Sequence, residues 1–247
     1  MTFFNIKTLN FYKEPSILKA SDLVTWKRNN GAYNFKRLPN MAIISIKRKM
    51  FSKVISPFTK RAKGINGSHF IYKSKILLCS EFGSGAPAMI MLLEELRALG
   101  VRQFIFIGSA GILDDSVKGG SSHIVQKAIS LSGTTFFYSE KDELECYDLS
   151  FFEKVKNKCN LTSKTILSTD SPFRETPSLI DHYKSKGCAL VDMECASIYA
   201  FSQFYKIPSA CILVGADSIT ASQWIPPNSV KNLLNVQQNM VSELLKL

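Results

Sequence analysis

The sequence predicts an α/β fold: a central mixed, mostly parallel sheet flanked by helices, in three layers. Three observations predict it. Apolar runs of strand length recur at 41–47, 75–80, 102–108, 123–130, 164–170 and 209–217. Helix-like stretches at 86–99 and 192–205 lie between such runs. The connections are short, so strand, helix and strand form crossover units, for which parallel pairing is the default.

Each element has its own justification. Residues 1–40 hold Pro15, Asn29-Asn30-Gly31 and Pro39 and are expected to be an irregular N-terminal extension to a single domain over 41–247. MAIISIK (41–47) is an apolar strand with a basic tail, and KILLCS (75–80) a short buried strand. EFGSGAP then forms a glycine turn. APAMIMLLEELRAL (86–99) is rich in unbranched side chains and stops at Gly100, the pattern of a helix. RQFIFIG (102–108) is the next strand and ends in a Ser-Ala-Gly turn. HIVQKAIS, KTILSTD and SACILVGAD read as further strands, and DMECASIYAFSQFY as a helix. Strands apolar on both faces call for cover on both sides of the sheet.

Composition excludes several classes. The chain has 247 residues, of which 45% are hydrophobic, enough for a large core. No apolar run reaches membrane-span length. The N-terminal segment lacks the three-part pattern of a signal peptide. A soluble, cytoplasmic protein is expected, with no membrane partner. Six cysteines stand apart without a Cys-x-x-Cys pair, which points to buried free thiols. Three histidines without paired ligands give no expectation of a metal. Net charge is +11 and is uneven: residues 1–75 carry 16 Lys/Arg and two acids, residues 76–247 carry 15 and 18. The basic third matches no nucleic-acid motif. It reads as a solvated face that can also draw anionic substrates, so nucleic acid is not an expected partner.

Four stretches carry residues that a core does not need: FGSGAP (82–87), GSAG (108–111), VDMEC (191–195) and GAD (215–217). In open α/β sheets ligands bind beyond the carboxyl ends of strands. Glycines such as Gly85 and Gly108 let backbone N–H groups approach an anion or a sugar. Asp217 suits either a helix N-cap or a general acid. Asp192 suits capping of the following helix. Glu194, between Met193 and Cys195, needs donors if it is buried, and sugar hydroxyls are donors.

Taken in order, these stretches resemble the nucleoside phosphorylase/nucleosidase superfamily over about residues 40–245. GSGAPAMIMLLEELRALGVRQFIFIGSAGIL resembles its glycine turn, helix, strand and Gly-Ser-x-Gly turn. STDSPFRE (168–175) is similar to its segment before the base-binding aromatic. VDMECASIY resembles its Glu-Met-Glu signature with Asp as the first acid, and LVGAD its purine-branch Ser-Asp turn. The resemblance implies the phosphorylase/hydrolase-like version of the three-layer fold. It implies cleavage of the N-glycosidic bond of a purine nucleoside or related compound, by phosphate or by water. It implies no cofactor beyond phosphate as co-substrate, and a homo-oligomer. By residue, it implies that Glu194 binds the ribose hydroxyls and Met193 packs on the sugar. Asp217 would protonate the leaving base and Phe173 would line the base pocket. Ser109 and its neighbouring amides would face the nucleophile.

The sequence departs from that family at the nucleophile end. Its phosphorylases place an arginine two residues before the Gly-Ser-x-Gly turn, where this chain has Phe106. A second arginine follows a Gly-Asp-Pro turn, where this chain reads IISIKRKM and offers Lys47 or Arg48. The nucleosidase branch shares GSAG but uses a water-activating glutamate in a turn not visible here; Glu81 is a carboxylate from another loop. Two alternatives to phosphorolysis stay open: hydrolysis without phosphate, and a nucleoside-binding protein that has lost catalysis.

Overall fold

A computed structural model describes residues 13–56, 59–220 and 222–247. In chain order the described helices are α1 (Ala20–Asn29), α2 (Ala86–Ala98), α3 (Leu149–Cys159), α4 (Pro177–Ser185), α5 (Cys195–Tyr205) and α6 (Val230–Leu244). The strands are β1 (Met41–Ile44), β2 (Lys60–Ala62), β3 (Ser68–Tyr72), β4 (Ile76–Ser80), β5 (Gln103–Ile112), β6 (Ser122–Leu131), β7 (Glu143–Glu145), β8 (Thr162–Thr169), β9 (Cys188–Asp192), β10 (Ser209–Ile219) and β11 (Trp224–Ile225).

All eleven strands belong to one mixed sheet flanked by helices. Its centre is parallel: β1 pairs with β4 and β5, β10 with β5, β6 with β8, and β8 with β9. Antiparallel pairs sit towards the rims and at two junctions, β10 with β6 and β5 with β9. Those junctions close β5, β10, β6, β8 and β9 into a ring, while β1, β4, β3 and β2 fan out from β5. The ring is not foreseeable from strand count, because β5 changes partner along its length. Its first half pairs with β1 and its last two residues, Gly111 and Ile112, pair with β9.

The central strands β1, β4, β5 and β10 are buried on both faces, so they read as continuous apolar runs without alternation. Phe104, Phe106, Tyr199 and Phe201 are among the largest fully buried side chains. All six cysteines are buried with free thiols.

Several expectations need correction. The Gly-Ser-Ala-Gly stretch is no turn, because β5 runs on through it to Ile112. Asp217 caps no helix, because it lies within β10 and the next element is β11. Residues 20–29 are not irregular but form α1. Asp22 in its first turn and Lys27 and Arg28 in its last match the helix dipole. The helix also packs on α2, where Lys27 Nζ lies 2.7 Å from Glu95 and Tyr33 donates to the same carboxylate at 2.7 Å. The helix expected from 192 begins at Cys195, because 188–192 is strand β9. A five-residue apolar run carries no periodicity that separates strand from helix.

Candidate active site

The site starts at the junction of β8, β9 and α5. Ser168 and Asp192 are in register on neighbouring parallel strands. Ser168 Oγ donates to Asp192 Oδ1 at 2.5 Å and accepts from the Ala196 N–H at 3.0 Å. Asp192 Oδ2 accepts from the N–H groups of Glu194 and Cys195 at 3.1 and 2.9 Å. Three otherwise orphaned amides at the start of α5 are thereby satisfied from the strands behind it. Asp192 is buried, and burial pushes its carboxyl above the ordinary range against the pull of these donors. With all three donors engaged, its chemistry is that of a structural cap.

Glu194 lies two residues on and bonds a different element. Its Oε1 accepts from the Gly85 N–H, 2.6 Å away. Gly85 precedes α2 with φ +86, a conformation that strains a residue with a side chain, and the Met193 methyl lies 3.7 Å from where its Cβ would be. The turn before α2 and the turn between β9 and α5 thus meet at Gly85, Met193 and Glu194. Glu194 is 5% exposed. Burial first, and then the charge of Asp192, push it up to about 7, while the Gly85 and Met193 N–H groups pull the other way. A carboxylate fixed through one oxygen can receive a pair of hydroxyls on the other.

Asp217 lies where β10 slips register between Gly215 and Ser218. Such a bulge re-aims a side chain. Its Oδ2 accepts from Trp224 Nε1 at 2.6 Å. Glu175, half-buried, is pushed up to about 7 by desolvation and then by the Asp217 charge. Two acids therefore share this end. Phe173 sits on the short turn before Glu175 and is 97% exposed.

The opposite end is built differently. Ser109 is exposed within the second half of the central strand β5. Gly108 is packed under Phe106, whose ring would lie 2.8 Å from an added Cβ. Gln237 of α6 donates to Gly108 O at 3.0 Å and to Ser109 Oγ at 2.9 Å. Its neighbour Gln238 donates to Lys49 O and Ser52 Oγ, both at 2.9 Å. Arg48 stands with its guanidinium carbon 5.5 Å from the Phe70 ring centroid. Lys47, Arg48, Lys49, Ser52 and Glu81 line a cavity of about 700 Å³ at the carboxyl ends of β1 and β4. Glu81 has φ +57, the left-handed region that a side-chain residue rarely adopts.

Sequence reasoning missed Ser168, Glu175, Trp224, Gln237 and Gln238. The first two lie inside the quoted STDSPFRE stretch. The glutamines had one signal, two amides on the buried stripe of an amphipathic helix. Among the described residues no group of three or more His, Cys, Asp or Glu could hold a metal ion, and no helix is long and apolar enough to cross a membrane.

Comparison with known proteins adds independent findings. A family model described as the Phosphorylase superfamily matches residues 53–246. An uncharacterised protein of Acanthamoeba polyphaga mimivirus is 26% identical over 161 residues, 64% of each chain. A DeoD-type purine nucleoside phosphorylase of Brevibacillus brevis is 26% identical over 168 residues, 65% of this chain and 72% of that one. A uridine phosphorylase of Thermococcus kodakarensis is 26% identical over 163 residues, 57% of each. The match thus spans less than two thirds of the length of the mimivirus and Thermococcus relatives. Among solved structures, the purine nucleoside phosphorylase of Toxoplasma gondii in complex with immucillin-H superposes with a TM-score of 0.70 at 20% identity, covering 85% of this chain and 90% of that one. The uridine phosphorylase of Vibrio fischeri gives 0.67 at 19%, covering 85% and 91%. At these identities the structural likeness speaks to the fold.

Proposed function

This chain belongs to the phosphorylase superfamily, and from that premise we propose that it cleaves the N-glycosidic bond of a nucleoside, with phosphate as the attacking group. The observation that carries the proposal is the meeting of two turns, in which the Gly85 N–H fixes one oxygen of a buried Glu194 beside Met193. The free oxygen accepts from the 2′- and 3′-hydroxyls, and the methionine packs on the sugar. Fixing the ring in this way orients the ribosyl carbon for attack.

Bond cleavage develops positive charge on the sugar and negative charge on the base. At the base end Asp217 supplies the proton or hydrogen bond, which favours a purine with its N7 acceptor. Trp224 holds the Asp217 carboxyl in place through the indole N–H. The attacking phosphate approaches from Ser109, with the Lys47–Lys49 turn supplying cationic charge in place of the arginine that Phe106 replaces. No cofactor enters this scheme. We place the protein in the soluble compartment and assign the catalytic unit to 41–247, with a homo-oligomer as the working assembly.

A second reading rests on Phe106. Its ring covers Gly108 where a phosphate-binding cation is expected, which favours water as nucleophile and a hydrolytic nucleosidase. One experiment separates the two. The full chain is incubated with adenosine, inosine, guanosine and uridine, with and without inorganic phosphate, and free base is followed by chromatography. Phosphorolysis requires base release that depends on phosphate and yields ribose 1-phosphate. Equal release without phosphate turns the assignment to hydrolysis, and no release from any nucleoside removes the enzyme reading.

A further inference from the structure

Two consecutive glutamines on one helix are each only 5% exposed. A buried amide is costly unless it is hydrogen-bonded, so the partners of this pair carry information. Each splits its two N–H bonds in the same way, one to a backbone carbonyl and one to a serine hydroxyl. Gln237 reaches Gly108 O and Ser109 Oγ, and Gln238 reaches Lys49 O and Ser52 Oγ. A carbonyl oxygen only accepts. It therefore fixes which end of the amide is NH2 and leaves no ambiguity in the orientation of either side chain.

The consequence falls on the serines. A hydroxyl that accepts from an amide N–H has its own hydrogen left to give. Ser109 is exposed, and Ser52 lines the cavity with Lys47, Arg48 and Lys49. Both hydrogens are thus available to an oxyanion, and one rigid element sets both. The same two amides tie the second half of β5 to the basic turn after β1, two segments far apart in sequence.

We infer that Gln237 and Gln238 are positioning residues that preset Ser109 and Ser52 as hydrogen-bond donors to the anionic nucleophile, so that α6 clamps the two halves of its seat. The inference rests on the phosphorolysis proposed above. It assigns Gln237 no contact with substrate; the residue acts through Ser109.

The test is steady-state base release by the full chain, with phosphate and nucleoside varied separately. Gln237→Glu converts the donor into an acceptor, turns the Ser109 hydrogen inward and adds a negative charge beside the seat. The KM for phosphate is expected to rise by about 10-fold or more, the scale of one charge-assisted hydrogen bond, while the nucleoside KM moves by less than about 3-fold. Gln237→Met keeps the size without the charge and is expected to raise the phosphate KM by a smaller factor; it serves if the buried glutamate hinders folding. Gln238→Met should act in the same direction through Ser52. Phosphate and nucleoside KM changing together, or neither changing, in a folded Gln237→Met protein overturns the inference and leaves the proposed function standing. A wild-type protein that releases base without regard to phosphate removes both at once.

Discussion

The two ends of the site differ in how they are held. At the β8–β9–α5 junction Ser168, Asp192 and Glu194 are buried, and five hydrogen bonds lock Ser168, Asp192, Glu194, Gly85 and three helix amides into one arrangement. At the proposed nucleophile end Ser109 is exposed, and the charges that face the cavity come from a turn anchored through a helix near the C-terminus. Within a buried, mutually hydrogen-bonded cluster, removing one partner leaves another unsatisfied. An exposed cationic turn works by summed charge, so its members replace one another. That difference fits the proposed function, in which the chain keeps Glu194 for the sugar while Phe106 occupies the expected arginine position.

The largest effect is expected at Glu194. Glu194→Gln keeps an oxygen for the Gly85 N–H and loses the charge offered to the ribose. Two hydrogen bonds to a charged acceptor are at stake, so kcat/KM should fall by about 10²–10³-fold, or about 3–4 kcal/mol. The pH profile sharpens this. Glu194 is pushed up to about 7, so its ionised form gains population as pH rises through that value. Wild-type kcat/KM should therefore climb through about pH 7, and the Gln variant should lack that limb. Glu175 is pushed to the same range, so Glu175→Gln is the companion, and it should leave the limb in place. A Glu194→Gln protein with wild-type kcat/KM breaks the contrast between the two ends.

Next in size is the cap behind it. Asp192 receives three donors, and an asparagine has only one acceptor oxygen for them. Asp192→Asn turns an NH2 group towards a donor and leaves a buried pair unsatisfied, at a cost of about 2 kcal/mol. The urea midpoint should drop with the slope unchanged. An unmoved midpoint would mean that α5 is held by its packing and not by this acid.

Legibility followed the same division. The sequence displayed both acids, the glycine turn before α2 and most of the central strands, because apolar runs and glycines report on local backbone demands; the second expected glycine turn is part of β5. Met193 and Glu194 could be tied to one turn from nine residues of sequence. The closure of the ring was invisible, since it depends on β5 changing partner near Gly111. The Trp224–Asp217 contact spans seven residues but needs a hairpin formed by a two-residue strand, too short for any periodicity. Gln237 lies 128 positions from Ser109, a pairing that only the packing of α6 creates. α1 was missed because its mean character is polar, and its stability comes from one buried valine and the ion pair to Glu95.

The smallest effect belongs to Arg48, and its size is the point. If the nucleophile end works by summed charge, removing one of three neighbouring cations leaves the other two in place. Arg48→Ala should raise the phosphate KM by about 3-fold at low salt, within the range of a solvent-exposed ion pair. Screening shortens the reach of exposed charges to about 8 Å at 0.15 M ionic strength and about 3 Å at 1 M. The ratio of variant to wild type should therefore shrink towards one as salt is added. A loss of about 100-fold that persists in high salt would mean that Arg48 bonds the anion directly. The nucleophile end would then be as sharply specified as the sugar end, and the contrast drawn between them would be wrong.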